Sequence, residues 1–250
     1  MHILNEFFDK IYVITIPRNK ERLDLFLSQK KGIEIELFNG VDGKTLYPEI
    51  PFTRDFPISF FEENGISADR GRSFNKGQLG CALSNLLLQK EIVRLKLKNA
   101  LILEDDAVLV PGQLDYFENA INQLPTNWEL FYLGYNNMSK WTNNFFTRMI
   151  LLAKYNIWPI AVEGKKSNVR GKNFFSKPYS KLLYVPGVYY GTHAYALSFA
   201  GAQKIVKIDT PLQYGYDATL MHACYNKLLN AFSLRAPLFV PDGGETTLIN

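Results

Sequence analysis

Residues 100–106, Ala-Leu-Ile-Leu-Glu-Asp-Asp (ALILEDD), join four apolar side chains directly to three acidic ones. A run with no polar member has no solvent face, so it reads as a short strand covered on both sides, the habit of parallel strands in α/β proteins. The carboxylates follow at its C-terminal end, where open α/β sheets gather their ligands. Three adjacent carboxylates repel one another and lose water as they near a core, unless a cation or hydrogen-bond donors compensate. In an extended segment residues two apart point the same way. Glu104 and Asp106 are therefore expected to share one metal ion, with Asp105 facing elsewhere. Hard oxygen ligands suit Mg²⁺ or Mn²⁺. The competing reading is a solvated acidic turn that opens the next helix.

Working outward, IYVITI at 11–16 is a second buried strand, ended by Pro17. Residues 18–31 read as a helix with Leu23, Phe26 and Leu27 on one face and Gly32 as its stop. A strand follows over 33–38, then Asn-Gly and Asp-Gly turns at 39–40 and 42–43, then an irregular excursion over 44–75. Leu79, Leu83, Leu86, Val93 and Leu97 recur at helical spacing and predict a helix over 77–98. Helices are expected over 112–124, 198–207 and 217–229, and strands over 128–133, 188–197 and 238–240. Strands alternating with helices predict an α/β fold with a mixed, mainly parallel sheet flanked by helices, as a single domain over 1–250.

A chain of 250 residues that is 47% hydrophobic and 21% charged can bury a large core, which excludes a disordered chain. Two cysteines, Cys81 and Cys224, are too few for a disulfide framework, so a reducing compartment is expected. The opening residues lack the order of a signal peptide. The most apolar run, 149–162, is broken by Lys154, Asn156 and Pro159 and is too short to span a bilayer. A cytoplasmic protein is the expectation. The net charge of +4 is uneven: Lys140 to Lys181 holds nine cationic residues against Glu163 alone. This excursion, about 139–182, also holds Trp141, Trp158 and several Phe and Tyr. Cations mixed with aromatics suit an anionic membrane surface, here the cytoplasmic face of the inner membrane, or a phosphorylated glycolipid. No nucleic-acid-binding motif accompanies it, so nucleic acid is not expected as a partner.

Several blocks together resemble glycosyltransferase family 25, which includes lipooligosaccharide and collagen galactosyltransferases. They are IYVITIPRNKERLD (11–24), FNGVDGK (38–44), GQLGCALSNLLLQKEIV (77–93), ALILEDDAVL (100–109), GTHAYALSFAGAQKIV (191–206) and VPDGGETTLI (240–249). The resemblance implies a GT-A-like, Rossmann-type fold, a nucleotide-sugar donor such as UDP-galactose, a divalent metal and inversion at the anomeric carbon. It implies an oligosaccharide or glycolipid acceptor. It places the acidic motif on Glu104, Asp105 and Asp106, and nucleotide-side contacts at Ile16, Arg18, Arg22, Val41, Asp42 and Ser84. Two departures stand out: Asn85 occupies a position where the family commonly has His, and the stretch from Pro211 to Asp217 is longer than the family's proline-to-aspartate spacing.

The chemistry of such a transfer needs a stabilised diphosphate leaving group and a carboxylate that takes the acceptor's proton from the opposite face. Asp217 and Asp209 are the candidate bases, and His193 is the candidate third metal ligand. Each has a plainer reading: Asp217 as a helix cap, Asp209 as a turn residue, His193 as a core histidine. Arg18 and Arg22 could be solvated helix charges, and Asp42 an Asx turn. Two other functions compete. A sugar nucleotidyltransferase would use the same sheet and carboxylates, but the chain lacks the expected Gly-rich triphosphate loop at its first strand. A non-catalytic glycan- or lipid-binding module would keep the fold without turnover.

Overall fold

The computed structural model describes residues 2–30, 32–45, 76–137, 149, 173, 175–210, 212 and 215–242. All but the first two residues of the expected excursion over 44–75, most of the basic segment and the residues after Asp242 lie outside the described residues.

The central strand is β3 (Asn99–Glu104). Its Ala100, Leu101, Ile102 and Leu103 are each fully buried, and complete burial of a Leu or Ile side chain contributes about 1.5–3 kcal/mol. Parallel to β3 runs β1 (Lys10–Thr15), and parallel to β1 runs β2 (Glu36–Asn39). On its other side β3 pairs antiparallel with the long β8 (Tyr189–Ser198). Next come β5 (Leu130–Asn137), antiparallel to β8, and β9 (Ala231–Leu234), parallel to β5. The short β7 (Leu183–Val185) and β6 (Lys177–Pro178) complete an eight-stranded mixed sheet. This hairpin is the described end of the basic segment. A separate pair joins β4 (Ala107–Leu109) to β10 (Phe239–Pro241).

Alternation along the strands gives the sheet two apolar faces. Val13, Leu101, Leu103 and Phe131 pack with Leu4 of α1 (Ile3–Phe7), Phe26 of α2 (Lys20–Gln29) and Phe117 of α4 (Leu114–Ile121). Tyr12, Ile102, Tyr132 and Tyr195 face α3 (Lys76–Leu95), α5 (Phe199–Ile208) and α6 (Tyr216–Tyr225) through Leu88, Ile205 and Leu220. The expected α/β class is therefore the observed one. Several elements escaped the sequence reading because they are too short for a period to register: α1, β4, β6, β7 and β9.

The buried face of α3 differs from its apolar pattern. Ser84, Asn85 and Gln89 are buried there, while Leu79 and Leu83 are only partly covered. Gly80 lets the start of this helix press onto the 41–43 turn: a Cβ at Gly80 would lie 2.6 Å from the Val41 carbonyl oxygen and from the Gly43 nitrogen. Neither backbone atom can move aside cheaply, and overpacking of this kind costs about 1–3 kcal/mol. Gly80→Ala should lower the urea unfolding midpoint accordingly, and an unchanged midpoint would show that the helix can slide away from the turn.

Candidate active site

Because β1 and β3 are parallel neighbours, with Ile14 opposite Glu104, their C-terminal ends lie side by side. The chain leaves β1 through Ile16 and a 3-10 turn (Pro17–Asn19) into α2. This brings three donors to the acidic triplet. Thr15 Oγ1 and Asn19 Nδ2 each donate to Asp105 Oδ2 at 3.2 Å. Arg22 Nη2 lies 2.8 Å from both Asp105 Oδ1 and Asp106 Oδ2. Leu25, Phe26 and Asp242 join Arg22, Asp105 and Asp106 in lining a small open cleft.

The strand alternation from which Glu104 and Asp106 were expected to share one face does not extend to Asp106. The strand ends at Glu104 and residues 105–106 form a turn, so period-two alternation stops where the argument needed it. Asp105 and Asp106 share Arg22, whereas Glu104 accepts a hydrogen bond from Thr192 Oγ1 of β8 at 2.7 Å. Burial, then the neighbouring Asp106 charge, pushes the Glu104 carboxyl up to about 7. Burial also raises Asp106, against the opposing pull of Arg22. Asp106 Oδ1 is buried with no hydrogen-bond partner.

These two carboxyls fit a cation: both are raised, and one buried oxygen is unpaired. His193 does not join them. A bulge in the β5–β8 pairing at Gly134 accompanies a ring that lies against Gly134, where a Cβ would meet Nε2 at 2.7 Å. Burial lowers its imidazole to about 4, with the Phe239 carbonyl offsetting part of the effect. Among the described residues, no three His, Cys, Asp or Glu side chains are arranged to hold a metal ion.

The residues expected on the nucleotide side divide into two groups. Arg18 Nε lies 3.0 Å from Asp42 Oδ2, and Asp42 Oδ1 accepts from the Lys44 N–H at 2.9 Å. That carboxylate thus combines the Asx turn with an ion pair that holds Arg18 at the strand edge. Ser84 and Val41 bond to each other instead: Ser84 Oγ accepts from the Val41 N–H at 2.8 Å and donates to the Gly80 carbonyl at 2.6 Å. Ser84 is buried. Its hydroxyl therefore fastens α3 to the 41–43 turn, and the close approach permitted by Gly80 serves this internal contact. Arg22 acts on Asp105 and Asp106, as described above.

The candidate bases also separate. Asp217 sits in the first turn of α6, half-buried, and Oδ1 accepts from the Ala218 N–H at 2.8 Å. Its carboxyl is raised by burial, countered by backbone N–H groups of Ala218, Asp217 itself and Gly191. Burial pushes the Cys81 thiol up, and the charges of Glu104 and Asp217 add to it. Asn85, in the position where the resemblance leads one to expect His, donates to the Cys81 carbonyl at 2.9 Å and accepts from Tyr195 Oη at 2.7 Å. Asp209 is 0% exposed at the C-terminal cap of α5, and its Oδ1 accepts from Thr219 Oγ1 at 2.8 Å. A base has to touch the acceptor hydroxyl, so this burial removes Asp209 from that role.

Sequence reasoning missed Thr192, Thr15, Asn19 and Asp242. Thr192 adjoins His193, and only the bulge decides which of the two meets Glu104. Asp242 is tied in by its N–H, which donates to the Asp106 carbonyl at 2.7 Å, a contact between residues remote in sequence.

An α/β sheet whose parallel strands β1 and β3 end at a clamped acidic cluster is consistent with a Rossmann-like glycosyltransferase fold. Residues 8–220 match glycosyltransferase family 25 (LPS biosynthesis protein), and the chain belongs to that family. It is 27% identical over 216 residues to procollagen galactosyltransferase 2 of Mus musculus, covering 81% of this chain and 28% of that protein. Identity is 29% over 213 residues to the Homo sapiens protein of the same name, covering 80% of this chain and 27% of that one. A probable inactive glycosyltransferase 25 family member 3 of Rattus norvegicus is 27% identical over 204 residues, covering 80% of this chain and 30% of that protein. The match thus spans less than a third of the length of these relatives. Among the described residues, no helix is long and apolar enough to cross a membrane.

Asp209 makes the stability depend on pH. Burial raises its carboxyl from the usual 3.8 to about 6, against the Thr219 hydrogen bond. Between those values the folded chain binds a proton that the unfolded chain does not, so stability falls as pH rises through the interval and levels off above it. Asp209→Asn should remove this part of the slope in urea unfolding midpoints measured from pH 4 to 7. Equal slopes in both proteins would mean that the carboxyl is not desolvated.

Proposed function

We propose that the chain is an inverting glycosyltransferase that moves a sugar, galactose from UDP-galactose, to a hydroxyl of an oligosaccharide or glycolipid acceptor. The observation that carries this reading is the division of the carboxylates into two settings. Asp105 and Asp106 are clamped by Arg22 at the strand end, while Asp217, at the start of α6, is half-buried with its carboxyl raised by burial. Family membership and the galactosyltransferase relatives support the choice of donor.

In this mechanism the acceptor oxygen attacks the anomeric carbon from the face opposite the diphosphate. Asp217 accepts the acceptor's proton, and the bond from the anomeric carbon to the phosphate oxygen breaks with its electron pair leaving on UDP. Glu104 and Asp106 would hold Mn²⁺ or Mg²⁺, which supplies Lewis-acid stabilisation of diphosphate charge when bound. Arg18, held at the strand edge by Asp42, adds positive charge near the same place. Arg22 fixes the orientation of Asp105 and Asp106. The non-catalytic alternative has one observation in its favour, the relatives whose names call them inactive. It predicts nucleotide-sugar binding without turnover.

The deciding measurement is UDP release from a panel of nucleotide sugars with Mn²⁺, using water as the acceptor. UDP-galactose should turn over fastest, and EDTA should abolish the reaction. Asp217→Asn should lower turnover by about 100-fold or more, the scale of a lost general base, while UDP still binds. Asp106→Asn should lose about as much, the scale of a lost electrostatic stabiliser. Absence of turnover with every nucleotide sugar would favour the non-catalytic reading, and wild-type rates for Asp217→Asn would exclude it as the base.

A further inference from the structure

Two buried side-chain hydrogen bonds flank Asp217 at the start of α6. Immediately before it, Tyr216 is buried, and its hydroxyl accepts from Gln89 Nε2 of α3. The Tyr216 ring also lies 5.4 Å from that of Tyr195 on β8. Two residues after Asp217, buried Thr219 donates its hydroxyl to Asp209 at the end of α5 at 2.8 Å. Residues 216 and 219 are three apart and so lie on one face of the helix. That face is turned into the protein, and Asp217 is placed beside it with its carboxyl near the Gly191 backbone.

Both bonds use groups that apolar packing would not choose. Among the described residues, the second carboxyl oxygen of Asp209 and the amide oxygen of Gln89 are buried without hydrogen-bond partners. Burying polar groups so incompletely is unfavourable, and an apolar pair of similar volume would hold the two helices together equally well. What apolar contacts lack is direction: dispersion and burial let a helix slide or rotate slightly at little cost, whereas a buried hydrogen bond fixes a distance and an angle. Two such bonds to two different helices, α3 and α5, fix both the rotation and the height of the first turn of α6.

We propose that Gln89 and Asp209 are positioning residues which, through Tyr216 and Thr219, set where the Asp217 carboxylate stands at the start of α6. The proposal rests on the reading of Asp217 as the base. Neither Gln89 nor Asp209 touches a reacting atom. Their effect is on geometry, to which proton transfer is sensitive: a displacement of about 1 Å costs on the order of 100-fold in rate.

Tyr216→Phe and Thr219→Val test this, since each deletes one hydroxyl and keeps the ring or the branch. UDP release from UDP-galactose with water as acceptor is measured alongside UDP binding by calorimetry. Each single variant should lower kcat by about 10-fold and the double variant by about 100-fold, the range expected of a misplaced base. The KM for UDP-galactose and the Kd for UDP should stay near their wild-type values. Thr219→Ser, which restores the hydroxyl, should restore kcat. Either single variant suffices should the double variant fail to fold. Wild-type kcat in both single variants, or a loss of kcat matched by an equal weakening of UDP binding, or no rescue by Thr219→Ser, would overturn the positioning role. Asp217→Asn in the same assay separates the two ideas. If it is inactive while the hydroxyl deletions are silent, the base reading stands and the positioning role falls; if it is active, both fall.

Discussion

Three carboxylates follow one another at the end of a strand that is buried on both faces, and the surrounding structure is arranged to accommodate their charge. Arg22 bridges two of them, Thr15 and Asn19 donate to the first of that pair, and Thr192 donates to Glu104. Without these partners, desolvation and mutual repulsion would drive the group toward protonation. Even with them, Glu104 sits near 7 and Asp106 is raised. Burial outweighs the compensation that these partners supply, and among the described residues one buried oxygen of Asp106 has no hydrogen-bond partner.

That arrangement depends on the sheet order. Placing β1 parallel beside β3 sends the chain after β1 directly over the triplet, so that Asn19 and Arg22 arrive within hydrogen-bond reach. Placing β8 antiparallel on the other side brings in the start of that strand, with Gly191 and Thr192, instead of its end. A mixed sheet thus surrounds one strand end with a helix start, a strand start and the turn after β2. The turn is held by Ser84 and the close approach of Gly80. The rigidity of this region comes from backbone contacts that leave no room for a Cβ, together with buried hydrogen bonds of fixed direction.

The second carboxylate region is built differently. Asp217 belongs to a helix with little sequence amphipathicity, carried against α3 and α5 by buried polar bonds as well as by Leu220 and Ala223. The polar residues buried along α3 have this explanation in common: Ser84 secures the 41–43 turn, Asn85 meets Tyr195, and Gln89 meets Tyr216. A helix whose covered face is partly polar gives up some apolar burial and gains defined relations to three separate elements.

The sequence by itself determined the class of fold, since a fully apolar strand and helices of period 3.6 are local patterns that follow from backbone geometry. It also located the acidic triplet at a strand end and Asp217 at a helix start. The tertiary structure decided the partnerships. The turn at 105–106 brings both Asp105 and Asp106 to Arg22, while Glu104 meets Thr192. The bulge by Gly134 turns His193 onto β5 and leaves Thr192 to reach the carboxylate. Ser84 closes onto Val41, and Asp209 disappears beneath Thr219. Each of these depends on where a side chain meets a residue ten or more positions away or on one local break in strand regularity. Periodicity averages over such breaks, and spacing along the chain carries no information about such meetings.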